Sequence, residues 1–251
     1  MSQIGSERRG AVQVLRIWRP EKKNALTGEM YTLLTGALRA AAADPGVRAV
    51  LLTGAPGVFT AGNDLGDFLQ NPPAGDQSPV FLFLQELVTF AKPLVAAVDG
   101  PAVGIGTTLL LHCDLVVAAT TARFQLPFVK LGVVPEAGSS LLLPLLVGLQ
   151  RASEWLLLGE PFGAEEARSA GLCNRVVQAA ELEPTAMALA EAIAARPPEA
   201  VQLSKQLLRT PQREALAAAM ARENALFVER LGSDEVRETM MAFLAKRTKP
   251  G

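Results

Sequence analysis

The sequence predicts an α/β fold, with a parallel sheet interleaved with helices and a helical subdomain towards the C-terminal end. Three observations predict it. A strand-like run, a helical run and a second strand-like run follow one another over residues 10–53, the pattern of a parallel crossover. Two apolar runs, residues 49–53 and 94–98, each lead into a glycine-containing turn and then a stretch able to be helical. From about residue 181 the composition shifts to helix formers separated by prolines. The expected division is an α/β core over residues 1–180 and a C-terminal helical subdomain over residues 181–251.

Residues 10–18 alternate like a half-buried strand. A polar turn, Arg19-Pro20-Glu21-Lys22-Lys23-Asn24, follows. Thr27 is placed to cap a helix reaching about Ala43, with Met30, Leu33, Leu34, Ala37 and Leu38 on one face. Asp44-Pro45-Gly46 stops that helix, and the strand at 49–53 comes next. Asn71-Pro72-Pro73-Ala74-Gly75-Asp76 reads as an exposed loop. A helix over 78–90, a strand at 94–98 and short strands at 115–118 and 174–177 complete the core. The tail reads as helices over 183–195, 199–209 and 212–229, and a last one begun by Ser233 as N-cap.

Composition narrows the function classes. The chain has 251 residues, 49% of them hydrophobic, enough for a sizeable core. A formal net charge of −1 gives no reason to expect nucleic acid or an anionic membrane as partner. One histidine and two cysteines, Cys113 and Cys173, without C-x-x-C spacing, argue against a metal site or a disulfide framework. A reducing, cytoplasmic setting fits best. Residues 1–10 carry charges but no apolar signal segment, and uncharged windows reach only about 14–15 residues, too short for a span.

Chemistry concentrates in the two turns, Phe59-Thr60-Ala61-Gly62-Asn63-Asp64-Leu65 and Gly100-Pro101-Ala102-Val103-Gly104-Ile105-Gly106. Such a turn can leave a backbone N–H unpaired and aimed at a ligand. Two converging turns would form an oxyanion hole, which stabilises negative charge on a carbonyl oxygen. Taken alone, each also reads as an ordinary strand-to-helix turn. Asp64 suits a cap for the helix after the first turn, Asp99 and Asp114 suit turns at strand ends, and His112 suits a packed, satisfied ring. Gly100-x-x-x-Gly104-x-Gly106 is not the G-x-G-x-x-G fingerprint of dinucleotide binding.

Together with Arg19-Pro20-Glu21-Lys22-Lys23-Asn24-Ala25-Leu26, Leu131-Gly132-Val133-Val134-Pro135-Glu136-Ala137-Gly138, Gly159-Glu160-Pro161-Phe162-Gly163-Ala164-Glu165-Glu166-Ala167 and Gly171-Leu172-Cys173-Asn174-Arg175-Val176-Val177, these turns resemble the crotonase (enoyl-CoA hydratase/isomerase) superfamily. The motifs run in the family's order over nearly the whole chain. The resemblance implies a spiral of repeated ββα units with C-terminal helices, and trimers, commonly paired into hexamers. It places the oxyanion donors on the backbone of Asn63, after Ala61-Gly62, and of Ile105, between Gly104 and Gly106. Glycine neighbours let the backbone turn sharply there, and a helix opening near Gly106 adds a positive dipole end.

The side chains then bear on the reaction. Family hydratases add water with two glutamates, and the aligned positions here are Thr108 and Phe128, neither a carboxylate. A carboxylate stands instead at Glu136, as in the Δ3,Δ2-enoyl-CoA isomerase branch, where one glutamate is the sole acid/base. An apolar wall of Leu126, Phe128 and Val134 would raise its pKa. A loop glutamate can equally cap the helix starting near Ser139 or pair with a surface lysine. The resemblance further implies an acyl-CoA substrate, with coenzyme A part of the substrate and no separate cofactor. Lys22 and Lys23 would meet its nucleotide end, Asn24, Ala25 and Leu26 would line the pocket mouth, and Asp64 and Leu65 follow the donor turn. Phe243 and Lys246 on the last helix could stack on the base and pair with phosphate. Isomerase is thus the leading expectation. Weak hydration or hydrolysis through Glu136, and a non-catalytic acyl-CoA-binding protein, are the alternatives.

Overall fold

The computed structural model describes residues 3–247, apart from the side chains of Phe243, Leu244, Lys246 and Arg247. The chain opens with β1 (Ile4–Arg9) and β2 (Val12–Ile17), then α1 (Gly28–Ala43), β3 (Ala49–Thr53), α2 (Leu65–Gln70), α3 (Pro79–Thr89), β4 (Leu94–Val98) and β5 (Pro101–Val103). There follow α4 (Ile105–Thr108), prolonged by a 3-10 turn over Leu109–His112, β6 (Leu115–Ala119), β7 (Arg123–Gln125), α5 (Ser139–Val147) and α6 (Leu149–Ser153). The last elements are β8 (Phe162–Gly163), α7 (Ala164–Ser169), β9 (Arg175–Val177), α8 (Ala179–Ala194), α9 (Pro198–Arg209), α10 (Arg213–Leu231) and α11 (Asp234–Arg247).

The main sheet runs β1-β2-β3-β4-β6-β9, parallel except for the β1–β2 hairpin. Both of its faces are covered, so β3 and β4 are buried along their whole length. Side chains alternate between two cores. Val50, Leu52, Leu94, Ala96 and Val98 face the larger core with α1 and α3, whereas Ala49, Leu51, Val95 and Ala97 face α8. On α8, Leu182, Ala186, Ala190 and Ala194 form the matching stripe, and small alanines let the helix lie close to the strands.

Expectation and structure differ at β1 and α8, and the short elements β5, β7, β8, α6 and α7 have no counterpart among the expected ones. The hairpin strand β1 lies in a segment read only as charged; it is an edge strand whose Ser6, Glu7, Arg8 and Arg9 are exposed, so it carries no apolar alternation. Helix α8 begins at Ala179 and contains Pro184 rather than starting near 183, because its first turn forms before the proline can interrupt the backbone ladder. Thr27 caps α1, its hydroxyl oxygen accepting the Met30 N–H at 3.3 Å, and Asp64 caps α2 through Gly66 and Asp67.

A second, smaller sheet, β5-β7-β8, continues through isolated parallel bridges that pair Thr60 with Ala102 and Leu26 with Asn63. This layer positions the site.

Candidate active site

The first turn is zipped to the loop before it. Leu26 N–H donates to Gly62 O and Asp64 N–H donates to Leu26 O, both at 2.8 Å. The Asn24 amide nitrogen donates to Val58 O and Phe59 O at 3.0 Å each, and its carbonyl oxygen accepts from Arg19 N at 2.7 Å. Asn24 is fully buried, and its side chain clamps the turn from inside. Arg19 reaches Asp64 at 2.7 Å and Ala25 O at 2.9 Å. Burial opposes ionisation of Asp64, but Arg19 and the capping amides hold its pKa below the usual carboxylate range.

The second turn is paired to the first in register. Thr60 N–H donates to Pro101 O at 2.9 Å and Val103 N–H to Thr60 O at 3.0 Å. Asn63 and Ile105 each lie three residues beyond the bridged pair Thr60 and Ala102. Leu26 uses the edge of the first turn at Gly62 and Asp64, so the intervening Asn63 N–H faces away from it. Ile105 is the first residue of α4, where an N–H has no partner within the helix. The turns touch backbone to backbone. A Cβ on Gly62, at φ +86°, would lie 2.7 Å from Val103 O, and one on Gly106 would lie 2.6 Å from Thr60 Cγ2. Behind them, buried Tyr31 donates from its hydroxyl to Asn63 Oδ1.

Glu136 stands next to Thr108. Thr108 lies one helical turn beyond Ile105, and its hydroxyl donates to Glu136 Oε1. The Glu136 residue is only 4% exposed, and no ion pair reaches its carboxylate among the described residues. Burial pushes its pKa up to about 8; the negative charge of Glu223 adds to the rise and the Thr108 hydrogen bond opposes it. Leu126 and Phe128 are buried and Val134 partly so, an apolar environment around the loop. The carboxylate neither caps α5 nor pairs with a lysine. The cap comes from Glu223 on α10, whose carboxylate accepts from Gly138 N at 2.6 Å and Ser140 N at 2.9 Å. Sequence reasoning missed Glu223. The signal was a glutamate within the buried stripe Leu216, Ala219, Met220 and Phe227.

Other expected residues are distributed as follows. Ala61, Asp64, Leu65 and Gly104 are half-buried around the two turns, and Lys22 and Lys23 are exposed on the preceding loop. The side chains of Phe243 and Lys246 lie outside the described residues. Asp99 holds Gly57 N–H at 2.7 Å and the Thr121 hydroxyl at 2.6 Å, and Asp114 holds Leu94 N–H at 2.8 Å, both as turn supports. His112 donates from Nε2 to Ala137 O at 2.8 Å; burial and the nearby Arg209 and Lys205 push its pKa down to about 4, against the effect of that bond.

The structure thus brings the two glycine-containing turns together and, through Thr108 one helical turn beyond Ile105, sets a buried carboxylate next to the second of them. The family profile of enoyl-CoA hydratase/isomerase matches residues 7–250. The 2,3-dehydroadipyl-CoA hydratase of Escherichia coli (strain K12) is 38% identical over 99% of this chain and 98% of its own length. Enoyl-CoA delta isomerase 2 of Homo sapiens is 37% identical over 92% of this chain and 60% of its own. The solved structure of Pseudomonas aeruginosa OdaA superposes with a TM-score of 0.95 at 46% identity, covering 97% of this chain and 99% of that one. The chain belongs to the crotonase (enoyl-CoA hydratase/isomerase) superfamily and is an acyl-CoA enzyme of it.

Proposed function

We propose that the protein is a Δ3,Δ2-enoyl-CoA isomerase with Glu136 as its single acid/base. The observation that carries this reading is that Glu136 is the lone carboxylate next to the two turns that is buried without an ion pair among the described residues. Thr108 and Phe128 occupy the positions where two-glutamate hydration needs carboxylates, and Glu223 is committed to two backbone N–H groups. In this mechanism ionised Glu136 removes a C2 proton from the 3-enoyl thioester. The electron pair moves into a dienolate whose oxygen accepts from Asn63 N–H and Ile105 N–H. Glu136, now the acid, returns the proton at C4, so no atom is gained or lost. A buried base with a raised pKa suits both halves of the transfer. Lys22 and Lys23 would pair with the phosphates of coenzyme A, which the substrate itself supplies.

The experiment offers purified protein 3-enoyl-CoA and 2-enoyl-CoA separately and follows mass and ultraviolet absorbance. Conversion of the 3-enoyl to the 2-enoyl thioester without mass change is expected, with a loss of at least about 100-fold in Glu136→Gln. Gain of one water on the 2-enoyl thioester at comparable rate would put hydration first, a reading that the Escherichia coli hydratase relative favours. The reading also takes the chain as a homotrimer or a dimer of trimers. The exposed Leu145, Leu149 and Leu157, and Leu203, Leu207 and Leu208 on α9, support self-association. A monomeric mass by sedimentation would overturn that part.

A further inference from the structure

We propose that Glu223 is a positioning residue for the proton-transferring loop: from α10 its carboxylate holds the backbone that carries Glu136. The proposal rests on Glu136 being the acid/base of the reading above. The loop passes through two consecutive left-handed residues, Ala137 at φ 61° and Gly138 at φ 72°. An alanine disfavours that region, so the turn persists only where its surroundings hold it. The holding bonds come from two buried side chains of other elements. His112 Nε2 donates to Ala137 O at 2.8 Å, and the two oxygens of Glu223 accept from Gly138 N at 2.6 Å and Ser140 N at 2.9 Å. Ser139 N and Oγ bond back to Glu136 O at 3.1 and 2.6 Å, which ties the catalytic residue to the clamped turn.

Glu223 is only 5% exposed, and among the described residues no lysine, arginine or histidine pairs with it. The free amides at the start of α5 replace the water it has lost, and the helix dipole favours its charge there. Gly138, the N-cap position of α5, has no side chain to do this. The same helix packs Phe227 edge-on against Phe68 of α2 at 6.4 Å between ring centres. Docking of α10 thus secures both the Glu136 loop and the helix that follows the Asn63 turn. The groups facing Glu136 are Thr108 from α4, Tyr31 from α1 and Glu223 from α10. Those facing Glu223 are the Gly138 and Ser140 amides and Glu136.

The test uses the full chain and Glu223→Gln, which keeps the size but accepts only one of the two N–H groups. The first readout needs no substrate: the infrared carboxylic-acid band that Glu136→Gln removes, titrated against pH. Its midpoint is expected to move down from about 8, because a negative neighbour is gone. The second readout is kcat against KM for 3-enoyl-CoA, with kcat expected to fall roughly 10- to 100-fold and KM to stay within about 2-fold. Glu223→Asp, which keeps the charge but loses reach, is expected to lose kcat while keeping a raised midpoint. A folded Glu223→Gln with unchanged midpoint and kcat would overturn the proposal. So would variants whose thermal stability falls while midpoint and kcat hold. If wild type fails to isomerise but the midpoint shifts in Glu223→Gln and holds in Glu223→Asp, the isomerase reading falls while the coupling of Glu223 to the Glu136 carboxyl stands.

Discussion

Thr108 shows how one hydroxyl tunes the site. Its O–H donates to Glu136 and so favours the ionised form against the burial that opposes it. The rate constant kcat/KM is therefore expected to rise with pH to a plateau, with its midpoint near 8. Thr108→Val removes the donor, and its midpoint should move up by about one to two pH units, the equivalent of the roughly 1.5–3 kcal/mol of a hydrogen bond to a charged group. Activity should recover at high pH, and a profile of unchanged midpoint would refute this role. The residues of the two turns and Glu136 were legible because their neighbours are distinctive: glycines at fixed offsets and a lone acid in an apolar loop. Glu223 was not, since a single glutamate in a helical stripe acquires meaning only when the partner amides, more than eighty residues earlier in the chain, are folded against it. The clamp made by Asn24 was hidden for a related reason, since only the fold shows its amide turned inward onto Val58 and Phe59.

The small sheet is the element that brings two separate turns together. Its bridges set Thr60 against Ala102, and the glycines then let the two backbones touch. Gly106→Ala would push a methyl group against Thr60 and part the turns. The expected outcome is a fall in kcat of about 100- to 1000-fold, the scale of losing one oxyanion donor, with KM changed much less. Steady-state kinetics on a variant checked by circular dichroism decides it, and near-wild-type kcat would sink the assignment of Ile105 N–H. Strands β3, β4 and β6 could be read from β-branched runs between turn signals, and α1 from its cap and stripe. The pairing Thr60 with Ala102 could not, because single bridges leave no periodic pattern in the sequence. Nor could β1, whose exposed charges say nothing about the backbone bonds it makes to β2.

For the molecule as a whole, Glu136 ties stability to pH. Its folded value of about 8 exceeds the ordinary 4.5, so the folded chain keeps a proton that the unfolded chain releases between those values. Stability is thus highest below that window, declines as pH rises through it, and is level above about 8. His112 acts in the opposite sense. Its folded value of about 4 lies below the ordinary 6.5, so its contribution is lost as pH falls from 6.5 to 4. Glu136→Gln should therefore match wild type near pH 4 and exceed it in Tm at pH 9; a difference constant with pH would refute this. The paired register of the two turns also bears on which changes of chain length the enzyme can survive. Gly62 and Gly104 take positive φ between the bridged pair and Asn63 and Ile105, so deleting one residue between Thr60 and Asn63, or between Ala102 and Ile105, would move a donor out of step with the glycine that turns the backbone there. The segment from 71 to 76 lies outside that count, and lengthening it leaves both offsets intact. Insertions and deletions in this chain should be judged by whether they preserve two intervals of three residues.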